Sequence, residues 1–389
     1  MELKSSPFPP ELNFLCSVSR PKLDHLPAET MLHEGLKWPL LLNLARAHGV
    51  RPQLIGTLSA LDWKGVPSEA RRSLMEFARL HKARSLFFAD QLLEVADKFA
   101  ERTIRFATFK GPSLAATLYG DLSRREYNDI DLIVDKERIK EAQAALAPLG
   151  YRPVYPSSAF RDAFLSYQRQ SALVREDHLL AIDLHWAFTS TQVPFPVTPA
   201  EIWRNLDNIQ LGGQSIPTLG QGDLALFLAG HGTKEGWRCL GWVCDFAMLI
   251  EKHPDLDWCD LLGRARQKRC GRTLLLDCQL AAQLLGTRVE GVLLKLAEND
   301  SRSRLGAEKL VQRIGDEFPA SSSERTFGEL ELCETRAQRG KILTRLLITR
   351  TVGDYDSMPL PSYLWRAYHV TRPFRLIAKA VRGLFTRGL

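Results

Sequence analysis

The segment FATFKGPSLAATLYGDLSRREYNDIDLIV, residues 106–134, contains the pattern that decides the fold. Its first apolar residues predict a short strand that stops at the Lys-Gly turn of residues 110–111. The proline after this turn suits the first turn of a helix, and we predict that helix over Ser113 to Tyr119, with a glycine at its end. A second strand is predicted over Ile130 to Val134. This order of elements indicates a sheet with helices packed against it.

Two aspartates accompany the second strand. Asp129 and Asp131 lie two positions apart, so in a strand both side chains point to the same face. The apolar residues that alternate with them point to the opposite face, into a core. Adjacent carboxylates repel each other unless a cation lies between them, and Mg²⁺ prefers oxygen ligands. The pair therefore predicts a divalent-metal site, with a solvated strand end as the alternative.

A later strand, predicted over His178 to Trp186, divides its side chains in the same way. Asp183 and His185 share one face, and the apolar residues share the other. If this strand neighbours the first aspartate strand, three carboxylates converge. On that condition Asp183 is predicted as a metal ligand, with an exposed strand residue as the alternative. His185 is predicted to be a hydrogen-bonded structural histidine.

The pattern Lys-Gly-x17-Asp-Ile-Asp-Leu-Ile-Val resembles the nucleotidyltransferase superfamily typified by DNA polymerase β. It is more closely similar to a bacterial family of uncharacterised nucleotidyltransferases, whose members also carry an Asp-Leu-His-Trp strand. The resemblance extends over residues 38–375, and its matching positions are Phe109-Lys110-Gly111, Arg125, Asp129 to Val134, Asp183 to Trp186, His231-Gly232, Lys234, Trp237 and Asp245. This chain has Gly111-Pro112 where the superfamily usually has Gly-Ser, and a longer spacing from that turn to the aspartates.

The resemblance implies a Mg²⁺-dependent nucleotidyltransferase, with Mn²⁺ as the alternative ion. Such an enzyme moves a nucleoside monophosphate from a nucleoside triphosphate such as ATP onto an acceptor. The transfer is an in-line displacement in which two metal ions clamp the attacking and leaving oxygens. By the resemblance, Asp129 and Asp131 hold both ions, and Asp183 completes the site of one. The acceptor is unknown and is a small molecule, a protein or RNA.

Six residues are implied as nucleotide-binding by the resemblance: Lys110, Gly111, Ser113, Arg125, His231 and Lys234. The glycine lets its backbone approach the triphosphate, free N–H groups face it at the start of the Ser113 helix, and basic side chains neutralise phosphate charge. The alternatives are a simple turn glycine, loop cations, and a histidine and lysine at a helix C-terminus. Asp245 lies among apolar residues, and we predict that it pairs with His231, Lys234 or Arg238.

The whole chain predicts an α+β fold with a small mixed sheet, helices on one side of it, and flanking helices at both ends. The predicted divisions are an N-terminal helical region at 1–100, a nucleotidyltransferase-like core at 101–219 and a C-terminal helical domain at 220–389. Helices are predicted at 38–48, 67–99 (one or two, with Ser68 as cap), 136–149, 258–268, 272–285 and within 301–347, plus two after residue 223 with a break near 230–236. Further strands are predicted at 151–155 and 171–176, and a hairpin at 209–219 that turns at Gly212-Gly213.

The composition narrows the class of protein. The 389 residues carry a formal charge of +7 and seven cysteines without a Cys-x-x-Cys pair. This cysteine pattern does not support a framework of disulfide bonds, and it favours the reducing cytoplasm as the compartment. No stretch approaches the roughly 20 apolar residues of a membrane span, and the first residues lack a signal-peptide pattern. Residues 373–389 form a basic amphipathic segment. We predict that it packs on the helical bundle, with contact to an anionic membrane surface or an acidic partner as the alternative.

Two functions are compatible with these patterns. The complete set of three carboxylates favours a nucleotidyltransferase, because mutually repelling aspartates have no role in a degenerate copy. The Gly-Pro turn favours a non-catalytic protein that keeps the fold and binds a nucleotide or a protein partner. No nucleophile elbow, Walker-type loop or dinucleotide fingerprint indicates another class of enzyme.

Overall fold

Seven strands form one mixed sheet in the computed structural model, which describes residues 8–22, 25–33, 35–154, 168–189, 194–314 and 330–386. The strands are β1 Phe106–Thr108, β2 Asp129–Val134, β3 Tyr151–Pro153, β4 Gln170–Arg175, β5 Ala181–His185, β6 Leu206–Leu211 and β7 Gln214–Leu219. Their order in the sheet is β3-β4-β5-β2-β1-β7-β6. Strand β2 runs antiparallel to β1 and parallel to β5, so the two strands that carry the aspartates are neighbours.

Helices precede, interrupt and follow these strands along the chain, which confirms the predicted α+β class. Before the sheet they are Pro10–Val18, His25–His33, Trp38–Ala47, Arg51–Ala60 and Ser68–Glu101. Between the strands they are Gly111–Leu114, the π-helix Ala115–Tyr119, Ile139–Leu146 and Pro199–Ile202. After the sheet they are Gln221–Glu235, Leu240–Lys252, Trp258–Gln267, Gly271–Leu285, Gly291–Asn299, Ser301–Arg313, Arg336–Ile348, Val352–Ser357 and Tyr368–Thr386. Short 3-10 turns occur at Leu122–Arg124, Lys136–Arg138, Ala147–Leu149 and Ser362–Ala367.

Two clusters of buried apolar side chains include residues of β2. Ile130, Leu132 and Val134 pack with Phe88 and other residues of the Ser68–Glu101 helix. Ile133 belongs to the other cluster, which joins N-terminal helices to C-terminal helices. Because side chains alternate along β2, its two faces pack into different hydrophobic clusters.

The division of the chain into three domains stays a prediction.

The helix Gln221–Glu235 continues through two glycines at which the sequence predicts a break. A Cβ on Gly230 would lie 2.7 Å from neighbouring aromatic and proline side chains, and a Cβ on Gly232 would lie 2.2 Å from the Trp237 ring. These glycines therefore permit close packing against the helix instead of ending it. The helix ends at Gly236, whose φ of 73° lies in the left-handed region.

Other predicted boundaries shift for local reasons. Pro67 holds the N-cap position of the long helix, so the predicted cap at Ser68 is wrong. Strand β5 begins at Ala181, because His178 adopts a left-handed φ of 60° in the turn before it. The helix predicted at 113–119 is a short α-helix followed by a π-helix, and the one at 136–149 is an α-helix between two 3-10 turns.

The predicted hairpin at 209–219 is confirmed as β6 and β7. Gly212 and Gly213 close it with φ values of 56° and 82°, as a two-residue hairpin turn requires. Part of the segment predicted as helical within 301–347 and the last residue of the strand predicted at 151–155 lie outside the described residues. Within the described ranges, no helix is long and apolar enough to cross a membrane.

Candidate functional site

Asp131 and Asp183 lie opposite each other on neighbouring strands. The parallel register of β2 and β5 pairs Asp131 with Asp183, and it pairs Asp129 with Ala181. Strand alternation places Asp129 on the same face as Asp131. The sheet thus brings together carboxylates that are distant in the sequence.

Asp131 is buried, with 1% of its surface exposed. Lys110 Nζ donates a hydrogen bond to Asp131 Oδ1 at 3.3 Å, and His185 Nε2 lies 3.1 Å from the same oxygen. Asp131 Oδ2 is buried and has no hydrogen-bond partner among the described residues. Burial raises the pKa of Asp131, but the Lys110 ammonium and the His185 contact outweigh burial and hold that pKa below its ordinary value. Asp131 is therefore an ionised carboxylate with one oxygen still unpartnered.

Asp131, Asp183 and His185 each place one potential ligand atom within 4.8 Å of the others. Gln170 Nε2 donates to Asp183 Oδ2 at 2.7 Å, which orients the second carboxylate. Burial raises the pKa of Asp183, and the charge of Asp131 raises it further. An unpartnered buried carboxylate oxygen costs free energy, and an oxygen-rich set of this kind suits a divalent cation. The residues therefore fit a metal ion.

Asp129 lines the same cavity but is not one of those three residues. Burial first, and then the charge of Asp131, raises the pKa of Asp129 to about 7, and the charge of Asp183 acts in the same direction. A substantial fraction of Asp129 is thus protonated at neutral pH in the metal-free protein. A cation nearby favours the ionised form, because opposite charges lower the pKa of a carboxyl group.

Asp129→Asn is expected to change the pH dependence of the unfolding free energy of the metal-free protein. The folded-state pKa of Asp129, about 7, lies above the ordinary aspartate value, so its contribution to stability is full at low pH. That contribution is lost as the pH rises through the folded-state pKa. Between about pH 5 and pH 8 the unfolding free energy of the wild type should fall by about 1–2 kcal/mol more than that of the variant, a value that allows for the partial exposure of the Asp129 side chain.

Denaturant unfolding with a chelator at both pH values measures this difference. Comparison with the variant cancels the titration of His231, whose lowered pKa affects both proteins equally. Asp135→Asn is the control, since Asp135 forms an exposed ion pair with Arg105. Parallel pH profiles for the wild type and Asp129→Asn would contradict the prediction.

The carboxylates open onto a cavity of about 470 Å³, a volume typical of small-molecule sites. Acidic residues of β2 and β5 line it together with aromatic and basic residues, several of them from the Gln221–Glu235 helix. The lining residues include Lys110, Arg125, Glu126, Asp129, Asp131, Gln170, Asp183, His185, Phe188, Phe195, Phe227, His231, Lys234, Arg238 and Trp242. The cavity therefore combines a cation site with positive charges and aromatic surfaces.

The turn at Lys110 and Gly111 packs tightly against β2. Gly111 has a φ of 58°, and a Cβ on it would lie 2.7 Å from the carbonyl oxygen of Asp129. The Ser113 hydroxyl is fully buried and donates to the Lys110 carbonyl at 2.9 Å. These contacts fix the turn beside the aspartates. Direct contact of Gly111 or Ser113 with a nucleotide stays a prediction.

Gly111→Ala is expected to destabilise the protein by about 2–4 kcal/mol, because it adds both a left-handed φ penalty and a backbone clash. Gly120→Ala is a matched control, since Gly120 has a φ of 69° but nothing within 4 Å of an added Cβ. The control should lose only about 1 kcal/mol. Chemical denaturation measures both values, and equal losses would show that the contact with Asp129 does not matter.

Arg125 and Asp245 form a buried ion pair between the loop before β2 and a C-terminal helix. Arg125 Nε donates to Asp245 Oδ1 at 2.9 Å, and Arg125 Nη2 donates to Oδ2 at 2.9 Å. The Tyr119 hydroxyl donates to Asp245 Oδ1 at 2.9 Å. The prediction that Asp245 pairs with a basic residue is confirmed, but the partner is Arg125 and not His231, Lys234 or Arg238. A nucleotide contact by Arg125 stays a prediction.

His231 and Lys234 line the cavity, and neither of them bonds to Asp245. The His231 ring stacks on Phe227 with centroids 5.7 Å apart and meets Trp242 edge-on at 5.3 Å. Burial lowers the pKa of His231 well below its ordinary value, and Lys110 lowers it further, so the ring is neutral at pH 7. Lys234 Nζ lies 3.7 Å from a carboxylate oxygen of Glu235. A role for either residue in nucleotide binding stays a prediction.

Two polar residues at the carboxylates are absent from the predicted site. His185 is hydrogen-bonded, as the sequence predicts, and its partner is Asp131, while Gln170 donates to Asp183. The alternation of β5 already puts His185 on the aspartate face. Gln170 lies on β4, which pairs antiparallel to β5, and no local sequence pattern marks it.

Comparison with known protein families gives a match over more than half of the chain. The profile of a family described as uncharacterised nucleotidyltransferase matches residues 34–286. No curated protein matches the sequence.

Three solved structures show weak structural similarity. A lincomycin-bound lincosamide antibiotic adenylyltransferase, LnuA, is 17% identical with a TM-score of 0.30, covering 41% of this chain and 94% of its own. The antibiotic-resistance factor ANT(2'')-Ia is 15% identical with a TM-score of 0.28, covering 57% and 94%. An antigenic nucleotidyltransferase-like protein from Paracoccidioides brasiliensis is 14% identical with a TM-score of 0.29, covering 54% and 97%. Nothing about the acceptor of this chain follows from such weak similarity.

Proposed function

We propose that this chain, which belongs to the family of uncharacterised nucleotidyltransferases, transfers a nucleoside monophosphate from a nucleoside triphosphate to an acceptor that remains to be identified. Family membership makes nucleotidyl transfer the general activity. The dependence on Mg²⁺ or Mn²⁺, the two-metal chemistry and the roles of individual residues are our proposal. The observation that carries the proposal is Asp131 Oδ2, a buried oxygen that has no hydrogen-bond partner among the described residues. Asp131 lies opposite Asp183 on the neighbouring strand.

We assign the metal ions to Asp129, Asp131 and Asp183. Two observations support this assignment: the carboxylates share one face of β2 and β5, and the pKa values of Asp129 and Asp183 are raised. Bound positive charge stabilises the ionised carboxylates against the effects of burial and mutual repulsion. When bound, the divalent ions supply Lewis-acid stabilisation of phosphoryl charge and lower the pKa of an acceptor hydroxyl. Oxygen ligands favour Mg²⁺ or Mn²⁺ in this position.

The triphosphate is proposed to lie along the basic part of the cavity wall. Lys110 is already within reach of the carboxylates, and Lys234 lines the same cavity, so both ammonium groups are available to neutralise phosphate oxygens. The neutral, stacked ring of His231 offers an aromatic surface or a hydrogen bond at this wall. ATP is the first nucleotide to test, and a small molecule, a protein and RNA are the acceptor classes.

Incubation with each α-labelled nucleoside triphosphate, Mg²⁺ or Mn²⁺ and cell extract as the acceptor tests this function. We expect a labelled product from the wild type and none from the Asp129→Ala/Asp131→Ala double variant. Absence of any product with all four nucleotides would overturn the proposal. The alternative is a non-catalytic protein that binds a nucleotide or partner, and ATP binding without pyrophosphate release over a broad acceptor screen would support it.

We propose the cytoplasm as the working compartment. The seven cysteines are an odd number without a Cys-x-x-Cys pair, so a disulfide framework has no sequence support. A supply of nucleoside triphosphate is also a cytoplasmic condition. Tagged protein recovered in a membrane-free lysate fraction would agree with this compartment, and recovery from an oxidising compartment would contradict it.

A second contact is proposed for the helix Tyr368–Thr386, with an anionic membrane surface as its partner. Val370, Phe374 and Ile377 are 66%, 68% and 61% exposed, and their spacing puts them on one side of the helix. Six arginine and lysine residues follow Asp356 and no acidic residue does, and two of the six, Arg372 and Arg375, form ion pairs with Asp354. Apolar side chains with a basic flank are typical of helices that lie on anionic lipid surfaces.

In sedimentation with vesicles that contain phosphatidylserine, the wild type should bind, and Phe374→Ser/Ile377→Ser should reduce the bound fraction about threefold or more. Leu86→Ser is the matched control, because Leu86 is also an exposed apolar side chain on a helix. Neutral phosphatidylcholine vesicles should bind little protein. A wild type that remains in the supernatant with anionic vesicles would overturn the membrane contact.

A further inference from the structure

His185 occupies a defined position beside the most buried carboxylate, and the proposed function gives it no role. Its Nε2 lies 3.1 Å from Asp131 Oδ1, and its ring meets the Phe109 ring edge-on with centroids 5.1 Å apart. The His185 side chain is 7% exposed, so the surrounding residues restrict rotation of its ring. A buried histidine in such a contact fixes the orientation of its partner.

The contacts of Asp131 are strongly one-sided. Lys110 Nζ and His185 Nε2 both bond to Oδ1, and Oδ2 has no partner in the described part of the chain. Two partners on one oxygen restrain rotation of the carboxylate about its last bond. The other oxygen then keeps its lone pairs available for a cation.

We propose that His185 is a positioning residue that, together with Lys110, holds Asp131 Oδ1 and so leaves Oδ2 for a divalent cation. The inference rests on the proposed function, because it requires a metal ion at Asp131. The partners of a ligating carboxylate commonly set both its orientation and the metal affinity of the site.

Direct ligation by His185 agrees less well with the contacts. To donate to Asp131, Nε2 must carry the hydrogen, so its lone pair is unavailable to a metal. The opposite tautomer would put the hydrogen on Nδ1, which is buried without a partner among the described residues. Metal-ligating histidines almost always donate their second N–H to another group. The contacts therefore disfavour ligation through Nε2, and the Mn²⁺ titration below separates orientation of Asp131 from ligation through Nδ1.

Titration of the nucleotide-free, full-length protein with Mn²⁺, followed by the electron paramagnetic resonance signal of the free ion, tests this role. His185→Leu removes the donor, and we expect its Mn²⁺ affinity to fall about 10- to 100-fold. His185→Gln retains an amide N–H at similar reach, and its affinity should stay within about threefold of the wild type. Melting temperatures of all variants show whether any loss of affinity comes from unfolding.

His81→Leu is the matched control. His81 has the same 7% exposure, and its Nε2 lies 3.0 Å from the backbone carbonyl of Arg125 instead of a carboxylate. This variant should change stability but not Mn²⁺ affinity. Wild-type affinity in His185→Leu would overturn the inference, and so would a loss in His185→Gln as large as in His185→Leu, since that result identifies the imidazole as a ligand.

The titration also separates this inference from the proposed function. A wild type that binds no Mn²⁺ overturns the role of His185, whatever the transfer assay gives. A wild type that binds Mn²⁺ with the expected variant pattern but transfers no nucleotide leaves the role of His185 intact and overturns the proposed activity.

Discussion

Asp131→Asn is expected to reduce nucleotidyl transfer by about 10³-fold or more while the protein stays folded. A metal ion contributes several kcal/mol to stabilisation of transition-state charge, and each 1.36 kcal/mol corresponds to a factor of ten in rate. The amide has nearly the same shape as the carboxylate and can still accept from Lys110 and His185 at the Oδ1 position. It has no negative charge with which to hold the cation.

Transfer of label from an α-labelled nucleoside triphosphate measures the rate, and the Mn²⁺ titration measures the affinity. Asp135→Asn is the matched control, because Asp135 follows the same strand but pairs with Arg105 at the surface. The control should keep wild-type activity, since exposed ion pairs contribute about 0–1 kcal/mol. An Asp131→Asn variant with more than about a tenth of wild-type activity would remove the central premise of the proposed mechanism.

Asp245→Asn is expected to lower the unfolding free energy by about 3–5 kcal/mol, the largest stability effect that we predict. The substitution removes the negative charge and leaves the Arg125 guanidinium, 9% exposed, without its counter-ion. A buried charge without a partner costs far more free energy than the intact pair contributes. The Tyr119 hydroxyl keeps an acceptor at this position, so the loss comes mainly from Arg125.

A double-mutant cycle with Arg125→Met tests this explanation. If the cost is the unpaired guanidinium, Arg125→Met/Asp245→Asn should recover about 2 kcal/mol or more of the loss seen in Asp245→Asn alone. Urea unfolding measures each corner of the cycle, with Asp135→Asn as the surface control. Additive losses in the double variant would show that the two side chains do not depend on each other.

The Arg125–Asp245 pair also has a consequence for activity. It connects the loop before β2 to the Leu240–Lys252 helix, and both of these segments contribute residues to the cavity wall. A loosened pair should therefore weaken substrate binding in addition to stability. We expect Asp245→Asn to raise KM more than it lowers kcat at a temperature where the variant remains folded.

Much of the fold and part of the candidate site could be predicted from the sequence, because the deciding features are local. Period-two alternation puts Asp129 and Asp131 on one face of β2 and its apolar residues on the other, whatever the strand packs against. Glycines that close turns are equally local, as at Gly212-Gly213, because few other residues tolerate the left-handed φ. The predicted α+β class depends on such patterns and is confirmed.

Two other glycines show where a prediction from the local sequence differs from the structure. The sequence predicts two helices with a break near residues 230–236. The two helices are confirmed, but the break begins only at Gly236, and Gly230 and Gly232 lie inside the first helix. Gly230 makes room for Phe195, which is distant in the sequence, and Gly232 makes room for Trp237, which lies just after the end of the helix. A sequence pattern cannot separate a glycine that ends a helix from one that makes room for a neighbour.

The sequence by itself determined which side chains share a face: Asp129 with Asp131, and Asp183 with His185. Only the tertiary structure decided that β5 lies parallel to β2 with Asp183 opposite Asp131, that Gln170 and His185 contact the two carboxylates, and that Arg125 neutralises Asp245. The physical reason is that side-chain direction along a strand follows from the geometry of one chain segment. Strand neighbours and buried charge pairs depend instead on which distant surfaces lose water together.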